Sequence, residues 1–380
     1  MNYWNDKTIL IISPESWGIN FVSKHHYSIE LAKRGNKVYF LNPPQKKDVR
    51  FEVKSIDGYE SLFEINYPLT VRGLNKLPLF IADFINKFLV RRILETTSKL
   101  DIVWSFDPFR LQNLDLFGAG KKIYFSADPH DTGKEAIIAR KADVVLAPSR
   151  LVAEKFYGLN CNVCNLGHGI SDKFFEQYDL NNELSLPGNN QLKVGYVGNL
   201  NYRFLAKKVL EEIVTSNPNI DFIFLGPLEK SNLSHVNAPT NTEFFRNLKK
   251  NANVFLLGQK PSSEIKRYLR KFDLLLSCYG EGADQILLAN NHKTLEFLSS
   301  GKPIVSHYMD EYKDRKDLIQ MAEEGNDDLA QVFSKTVENI KVFYNEESTL
   351  KRIAFAREHT YEKKLRKIKK LLNQSSKKMS

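Results

Sequence analysis

The densest group of residues able to do chemistry lies in segment 277–305, which reads SCYGEGADQILLANNHKTLEFLSSGKPIV. Lys293 and Glu296 stand at the start of a predicted helix over 294–300, and Gly301 ends that helix before another apolar strand. A lysine ammonium beside the free N–H groups of a helix N-terminus suits a diphosphate, and a carboxylate one turn later can accept hydrogen bonds from ribose hydroxyls. The same i, i+3 spacing also fits an ordinary ion pair on a helix surface, which spacing alone would favour.

A second polar group follows the predicted strand 122–125, in the loop ADPHDT. A carboxylate or an imidazole in such a loop can remove the proton from a hydroxyl group as that group attacks an electrophilic carbon. Asp128 is the first candidate for this base, and His130 and Asp131 are its substitutes. The alternative is a turn-forming role, because Asp-Pro and Asp-Thr are common turn sequences.

The residue pattern disfavours metal and redox chemistry. Cys161 and Cys164 form a lone C-x-x-C without the second pair of ligands that zinc requires, so we expect structural thiols. His25 and His26 lack such partners as well, and no Asp-x-Asp is present to bind a divalent cation. Neither G-x-G-x-x-G nor G-x-x-x-x-G-K-S/T occurs, which argues against a dinucleotide enzyme and a P-loop NTPase. We therefore expect neither a metal nor a cofactor.

The chain has 380 residues, of which 42% are hydrophobic and 26% charged, and this length suits two globular domains. Its net charge of +10 is concentrated near the end, where residues 351–380 hold eleven basic and two acidic side chains. Such a segment attracts anionic lipid or nucleic acid, or it forms a solvated helix face, and both interpretations stay open. With three cysteines, no visible signal peptide and no long apolar run, a cytoplasmic protein is expected.

Short apolar strands alternate with helical patterns along two stretches, which a polar break over residues 178–192 separates. This alternation predicts two α/β domains, each with a parallel sheet covered by helices on both faces. Ligands of such sheets bind beyond the carboxyl ends of the strands, and the cleft between two facing domains is the expected site. The predicted strands are 7–12, 37–41, 101–105, 122–125, 142–146, 193–197, 221–225, 254–257, 274–277 and 303–306. The predicted helices are 23–34, 204–215, 262–271 and 294–300, and residues 51–66 are predicted to form a hairpin or an irregular β segment.

The order of the motifs resembles that of the GT-B glycosyltransferases over essentially the whole chain. HKTLEFLSSGKPIV is similar to their donor-site signature. Other segments that match in order are ADVVLAPS (142–149), NLGHGI (165–170), KVGYVGN (193–199), DFIFLGP (221–227) and NVFLLGQKP (253–261). The Asn-His-Lys start of the signature is closer to transferases of surface polysaccharide assembly, including teichuronic-acid and glucuronosyltransferase-like members.

The resemblance implies two Rossmann-like domains that face each other across a cleft. The first, over 1–180, would bind the acceptor, and the second, over 193–350, would bind a nucleotide sugar. A basic C-terminal helix over 351–380 would cross back to the first domain. Retaining members usually carry two Glu with seven residues between them; the second of these matches Glu296, and the first falls here at Leu288. Retention or inversion of the sugar's configuration therefore stays open.

The resemblance also implies roles for single residues. Lys293 would hold the donor diphosphate without a metal, Glu296 would bind the ribose, and Asp128 would be the base. The other residues with an implied role are Gly198, Arg203 and Lys207 near the phosphates, Gln259 and Lys260 near the nucleobase, Tyr279 and His292 along the nucleotide pocket, and Glu15 and Trp17 on the acceptor side. Arg203 fits a solvent-facing position equally well.

The expected function is therefore transfer of a sugar from a nucleotide sugar, which we expect to be a UDP-sugar, to a growing surface glycan, which we expect to be lipid-linked. Residues 74–94 are apolar and basic, with Phe80, Phe84 and Phe88 at helical spacing, and could lie in a lipid interface at the inner face of the plasma membrane. Packing of this helix on the sheet is the commoner arrangement. A nucleotide-sugar 2-epimerase of the same fold is the first rival. A non-catalytic protein that binds anionic surfaces is the second, and nucleic acid is not expected as a partner because no basic groove lined by aromatic residues is evident.

Overall fold

The structure, a computed structural model, describes residues 4–18, 21–45, 49–69, 71–128, 130, 133–176, 184–227, 242–280 and 284–377. It divides into two compact units. The first comprises Met1–Gly169 together with Tyr361–Ser380, and the second comprises Ile170–Thr360. Among the helices of the described ranges, none is long and apolar enough to cross a membrane.

Each unit is built on one sheet. The first sheet has the order β3-β4-β2-β1-β5-β6-β7-β8, and the second has the order β11-β10-β9-β12-β13-β14. All pairs are parallel except β3 with β4, which is antiparallel. The strands of the first sheet are β1 (Thr8–Ile12), β2 (Lys37–Leu41), β3 (Glu52–Ser55), β4 (Leu62–Asn66), β5 (Ile102–Ser105), β6 (Lys121–Phe125), β7 (Val144–Ala147) and β8 (Val163–Asn165). Those of the second are β9 (Leu192–Val197), β10 (Ile220–Leu225), β11 (Val254–Leu256), β12 (Leu274–Ser277), β13 (Ile304–Ser306) and β14 (Gln320–Met321).

Helices connect the strands. Central strands such as β5, β7 and β12 are buried along their whole length, since parallel strands covered on both faces consist of uninterrupted apolar runs. The helices are α1 (Ser23–Ala32), α2 (Leu79–Thr97), α3 (Gly133–Lys141), α4 (Arg150–Glu154), α5 (Lys207–Thr215), α6 (Thr242–Leu248), α7 (Ser262–Lys271), α8 (Gln285–Leu288), α9 (Lys293–Ser299), α10 (Leu329–Glu338), α11 (Ile340–Phe343), α12 (Glu346–Arg357) and α13 (Tyr361–Lys377).

The basic C-terminal segment forms two helices that belong to different units. Helix α12 is part of the second unit, and α13 is part of the first. The apolar face of α13, formed by Leu365, Ile368 and Leu372, is fully buried in the core of the first unit. Trp4 donates its indole N–H to the carbonyl of Leu365 over 2.9 Å. The division between units therefore falls near residue 360, whereas the sequence placed it at 350.

The polar break over 178–192, predicted to separate the two domains, belongs instead to the second unit, which begins at Ile170. Residues 177–183 lie outside the described ranges, but the stretch from 184 packs within the second unit. The backbone N–H of Asn190 donates to the Asp221 carboxylate over 2.9 Å, and Lys193 forms an ion pair with the same group. Asp221 is buried, so these contacts fix the entry to β9.

Candidate functional site

Three neighbouring strands of the second unit end in glycines that pack against one another. Gly198 follows β9, Gly226 follows β10, and Gly258 lies just beyond β11. The N–H of Gly226 donates to the carbonyl of Gly258 over 2.9 Å, and a Cβ on Gly226 would lie 1.7 Å from the carbonyl oxygen of Gly198. Only a glycine at position 226 permits the approach to Gly198, and this contact together with the hydrogen bond to Gly258 brings the three loops together at the carboxyl edge of the sheet.

The Tyr279 side chain packs beside Gly198 at this edge. It follows β12, and its hydroxyl lies 2.5 Å from the place a Cβ on Gly198 would take. Its ring packs edge-on against Tyr202 and His307, with centroids 5.5 and 5.2 Å apart. Burial raises the pKa of Tyr279 to about 12, so the phenol stays neutral at physiological pH. The lack of a side chain at Gly198, which the sequence assigned to a close approach of phosphate, therefore accommodates this hydroxyl.

Lys293 and Glu296 do not form the surface ion pair that their spacing allowed. Within the described ranges, neither the Lys293 ammonium nor the Glu296 carboxylate has a hydrogen-bond or ion-pair partner. Glu296 is half-buried, and burial raises the pKa of its carboxyl group, an effect that the nearby Lys293 opposes. A desolvated carboxylate beside an unpaired ammonium is costly to maintain unless a ligand uses both groups.

The start of α9 supplies fewer free N–H groups than the sequence suggested. The helix has only seven residues. The N–H groups of Lys293 and Thr294 both donate to Asn291, to its side-chain oxygen and its carbonyl respectively, over 3.0 Å. The capacity to bind an anion at this position therefore rests on the Lys293 ammonium.

We predict that Glu296→Gln stabilises the protein while weakening nucleotide binding. The amide removes a partly desolvated charge that has no partner among the described residues, so the thermal midpoint should rise at pH 7. The raised pKa means that the Glu296 carboxylate lowers the stability only at pH values above its pKa in the unfolded chain. The stabilisation by Gln should therefore shrink toward pH 4. Differential scanning calorimetry at both pH values checks this. Glu338→Gln, at an exposed position of α10, is the control and should change nothing.

The remaining predicted donor residues lie in loops and helix starts that follow strands of the second sheet. Arg203 is exposed and its guanidinium lies 4.2 Å from the ring centroid of Phe204, so it stacks on its neighbour. The others are Lys207 at the start of α5, Gln259 and Lys260 in the loop after β11, and His292 directly before α9; Gln259 and His292 are exposed, and the two lysines are half-buried. Because all strands of this sheet are parallel, these positions share its carboxyl edge.

His307 is a residue at this edge that sequence reasoning missed. It follows β13 and is fully buried, with Nδ1 3.2 Å from Ser306 Oγ and 3.3 Å from Ser277 Oγ. Its Nε2 has no hydrogen-bond partner among the residues described. Burial lowers the pKa of His307 to about 4, so the ring is neutral at pH 7. The signal was present, since a polar residue directly follows an apolar strand at the predicted ligand edge.

We predict that the free energy of unfolding falls as the pH drops from about 6.5 to about 4. Burial lowers the pKa of His25, in the first unit, to about 4 as well. Below pH 6.5, both histidines therefore bind fewer protons in the folded protein than in the unfolded chain. Full protonation of each one lowers the free energy of unfolding by up to about 3 kcal/mol. Urea unfolding at pH 7, 6, 5 and 4 measures this loss. A His307→Gln variant should show a shallower pH slope, and an unchanged slope would contradict the assignment.

In the first unit, the loop after β6 is held by one buried carboxylate that the sequence did not single out. Glu135, in the first turn of α3, is 3% exposed. It accepts hydrogen bonds from the Tyr124 hydroxyl over 2.8 Å, the Ser126 hydroxyl over 2.7 Å and the His130 N–H over 3.1 Å. Lys155 forms an ion pair with it at 3.1 Å. These contacts determine the path of the loop.

The three candidate bases in this loop differ in their surroundings. Asp128 is exposed, and its carboxylate has no partner within the described ranges. The ring of His130 packs edge-on against Phe109 at 4.9 Å, and its backbone carbonyl accepts a hydrogen bond from Lys155. Asp131 lies outside the described residues. Asp128 is thus the more exposed of the two described candidates, and its role as the base stays a prediction.

The carboxyl edge of the first sheet is tied together by a buried ion pair. Asp107 accepts hydrogen bonds from the N–H groups of Phe109 and Arg110, as expected for a turn former. The Arg110 guanidinium pairs with Asp107 and also donates to the carbonyls of Ser13 and Asn42. One side chain therefore links the ends of β1, β2 and β5.

The two predicted acceptor residues are engaged in internal contacts. Glu15 forms an ion pair with the buried Lys24. Trp17 is half-buried, and its ring packs edge-on against Phe40 with centroids 5.0 Å apart. The backbone N–H of Trp17 donates to Asn42 Oδ1 over 2.8 Å. These contacts position both residues beyond β1 and leave their acceptor role a prediction.

No family model and no curated protein matches this sequence. Solved structures do match it over nearly its whole length. They include sucrose-phosphate synthase from Thermosynechococcus elongatus, with a TM-score of 0.70, 12% identity and coverage of 97% of this chain and 98% of that one. HepE of Anabaena in complex with UDP and glucose has a TM-score of 0.64 and 14% identity, over 97% and 99% of the chains. A glycosyltransferase from Rickettsia africae has a TM-score of 0.65 and 16% identity, over 98% and 99%.

The chain has the GT-B fold. These matches and the two α/β sheets confirm the predicted fold class. Identities of 10–16% show a shared fold and leave the reaction to be argued from the residues. Leu288, which stands where retaining members carry their first Glu, is buried in the core of the second GT-B unit and packs against apolar side chains.

Proposed function

We propose that this GT-B protein is a glycosyltransferase that moves a sugar from a UDP-sugar to a growing, lipid-linked surface glycan. The observation that carries the proposal is the Lys293 ammonium near the partly desolvated Glu296 carboxylate, where neither group has a hydrogen-bond or ion-pair partner among the described residues. A nucleoside diphosphate offers phosphate oxygens to the first group and ribose hydroxyls to the second. It therefore offers a hydrogen-bonding or ionic partner to both groups at once.

The second unit is proposed to bind the nucleotide sugar. Lys293 neutralises negative charge that develops on the diphosphate as the bond between the sugar's anomeric carbon and the phosphate oxygen breaks. Tyr279 and His307, both neutral at pH 7, close the edge of the site without adding charge. Gln259 and Lys260 are proposed to contact the nucleobase, and Arg203, Lys207 and His292 to contribute around the phosphates.

The first unit is proposed to bind the acceptor and to supply the base. Asp128 accepts the proton of the acceptor hydroxyl while the oxygen of that hydroxyl forms the new bond to the anomeric carbon. Glu15 and Trp17 are proposed to contact the acceptor. This assignment describes an inverting displacement, in which one carboxylate suffices.

A lipid-linked acceptor of surface polysaccharide assembly, handled at the inner face of the plasma membrane, is the finer part of the proposal. Two features support it. The described chain exposes the phenylalanines of α2 to solvent, and α13 carries a basic surface whose apolar side is already buried. The similarity of Asn291-His292-Lys293 to transferases of the teichuronic-acid and glucuronosyltransferase-like type points in the same direction.

Lys293→Ala tests the donor site. Loss of a charge-assisted contact to the diphosphate should raise the Kd for UDP by about 10- to 100-fold. Isothermal titration calorimetry with UDP, GDP and ADP measures the affinity and the choice of base. The control is Lys249→Ala, which removes an exposed lysine of the same unit and should leave the Kd unchanged.

Two results would contradict the proposal. One is an unchanged UDP affinity in Lys293→Ala while the control also binds normally. The other is conversion of a UDP-sugar into its epimer by the protein alone, without acceptor, which would instead support the 2-epimerase. Thermal-shift screening against UDP-sugars identifies the donor for that experiment, because a ligand that binds only the folded state raises the midpoint.

A further inference from the structure

Helix α2 of the first unit presents an apolar face that remains open to solvent. Phe80, Phe84 and Phe88 are 74%, 64% and 65% exposed. At about 100° per residue, these three and Ile81 fall within an arc of about 100°, so they form one continuous stripe. The opposite face attaches the helix to the unit through the buried residues Ala82, Asn86, Val90, Ile93 and Thr97.

The exposed apolar residues of the described chain are concentrated at this place. Six of the ten large apolar side chains that are exposed lie between residues 71 and 88, namely Val71, Leu77, Phe80, Ile81, Phe84 and Phe88. Single exposed apolar residues are normal, whereas a cluster of this size marks an interaction surface. The helix therefore packs on its unit through residues smaller than phenylalanine and leaves its three largest apolar side chains exposed.

Basic residues surround the stripe. Lys87 and Arg92 are exposed, and each lies about 20° outside one side of the arc. Arg72 and Lys76 precede the helix and are also exposed. The acidic residues of α2 are engaged, since Glu95 pairs with Arg91 at 2.9 Å and Asp83 accepts a hydrogen bond from Asn113 over 2.7 Å. The patch is thus apolar at its centre and positive at its border.

This pattern selects among the possible occupants. A two-fold dimer through the same face would bring the cations of both copies together, which is unfavourable. A bilayer that contains anionic lipid is apolar at depth and negative at its surface, which matches the stripe and its border. Helix α13 offers only charge, because its apolar side is buried in the first unit.

We infer that α2 is the surface by which the first unit binds an anionic lipid bilayer, with Phe80, Phe84 and Phe88 inserted at the boundary of the acyl chains. The cations then lie at the level of the lipid phosphates. This inference rests on the proposed function, because a membrane-binding surface serves a transferase whose acceptor lies in the membrane. Vesicle binding can nevertheless be measured without that acceptor.

The test is flotation of the full-length protein with vesicles of phosphatidylcholine and phosphatidylglycerol, compared with phosphatidylcholine alone, at low and high salt. We expect the protein to bind the anionic vesicles, and to bind the neutral vesicles about tenfold or more weakly, because several cations each contribute to the affinity for anionic lipid. Phe84→Ser combined with Phe88→Ser should lower the partition coefficient at least about 100-fold, since two buried aromatic rings are lost from the lipid. Its thermal midpoint should not change, because both side chains are exposed.

The matched control is Val342→Ser combined with Leu350→Ser, which removes two exposed apolar residues of the second unit and should leave vesicle binding unchanged. The inference is wrong if the unmodified protein does not bind anionic vesicles, or if the variant with both phenylalanines replaced binds them as tightly as the unmodified protein does. It is also wrong if the unmodified chain is a dimer without lipid and the variant is a monomer, since α2 is then an interface between copies. UDP affinity, measured on the same variants, reports separately on the donor site.

Discussion

Replacing Asp128 by asparagine is expected to lower turnover by about 10²- to 10⁴-fold, the contribution of a positioned general base. Asparagine keeps the shape of the side chain but cannot take a proton at neutral pH. The rate of UDP release from the donor identified by thermal shift, with water as acceptor, measures the effect. The Kd for UDP should stay unchanged, because the proposed nucleotide contacts all lie in the second unit.

Two further variants make this result specific. Asp57→Asn changes another exposed aspartate of the first unit and should retain full turnover. His130→Asn should lose less than Asp128→Asn, because the His130 ring packs against Phe109. If His130→Asn is the more severe variant and Asp128→Asn is nearly normal, the base has been assigned to the wrong residue.

Replacing Glu135 by alanine is expected to destabilise the protein by about 3–5 kcal/mol, the usual consequence of removing one partner of a buried ion pair. The change leaves the Lys155 ammonium without its counterion, and the hydroxyls of Tyr124 and Ser126 without an acceptor. Urea unfolding measures the loss. Glu154→Ala removes an exposed glutamate that pairs with Arg150 one turn away, and should cost only about 0.5 kcal/mol.

Glu135 should also affect turnover through the position of the loop. Glu135→Gln keeps an acceptor for the hydroxyls and should retain more stability than the alanine variant. If it folds yet releases UDP more slowly, with an unchanged Kd for UDP, the residue positions Asp128. Normal turnover in this variant would assign Glu135 a purely structural role.

The local patterns that could be predicted are those whose physical cause is local. Helix α7 and strand β12 have the bounds that the sequence predicted, because their signals are strong. Helix α7 begins after Pro261 and alternates apolar and charged faces, and β12 is an unbroken apolar run before a polar residue. Strands β8 and β14 were missed, since two or three residues carry no periodicity and depend on their neighbours in the sheet.

The candidate site remains a prediction, and its contacts could not be read from the sequence. Lys293 and Glu296 were singled out because their residue types and spacing suit a nucleotide, although spacing alone favoured an ion pair between them. That they form no ion pair depends on the burial of Glu296 by the rest of the second unit. His307 and Glu135 acquire their importance only from residues distant in sequence, such as Ser277 and Lys155.

The sequence by itself determined the strand–helix order, because apolar periodicity is a local property of the chain, and its motifs carried the resemblance to the GT-B class that the fold confirms. Only the tertiary structure decided which face of α2 is buried. Its small residues and its phenylalanines both recur at helical spacing, so periodicity cannot distinguish them. The first unit buries the face that carries Ala82, Val90 and Ile93, and the phenylalanine rings remain in solvent.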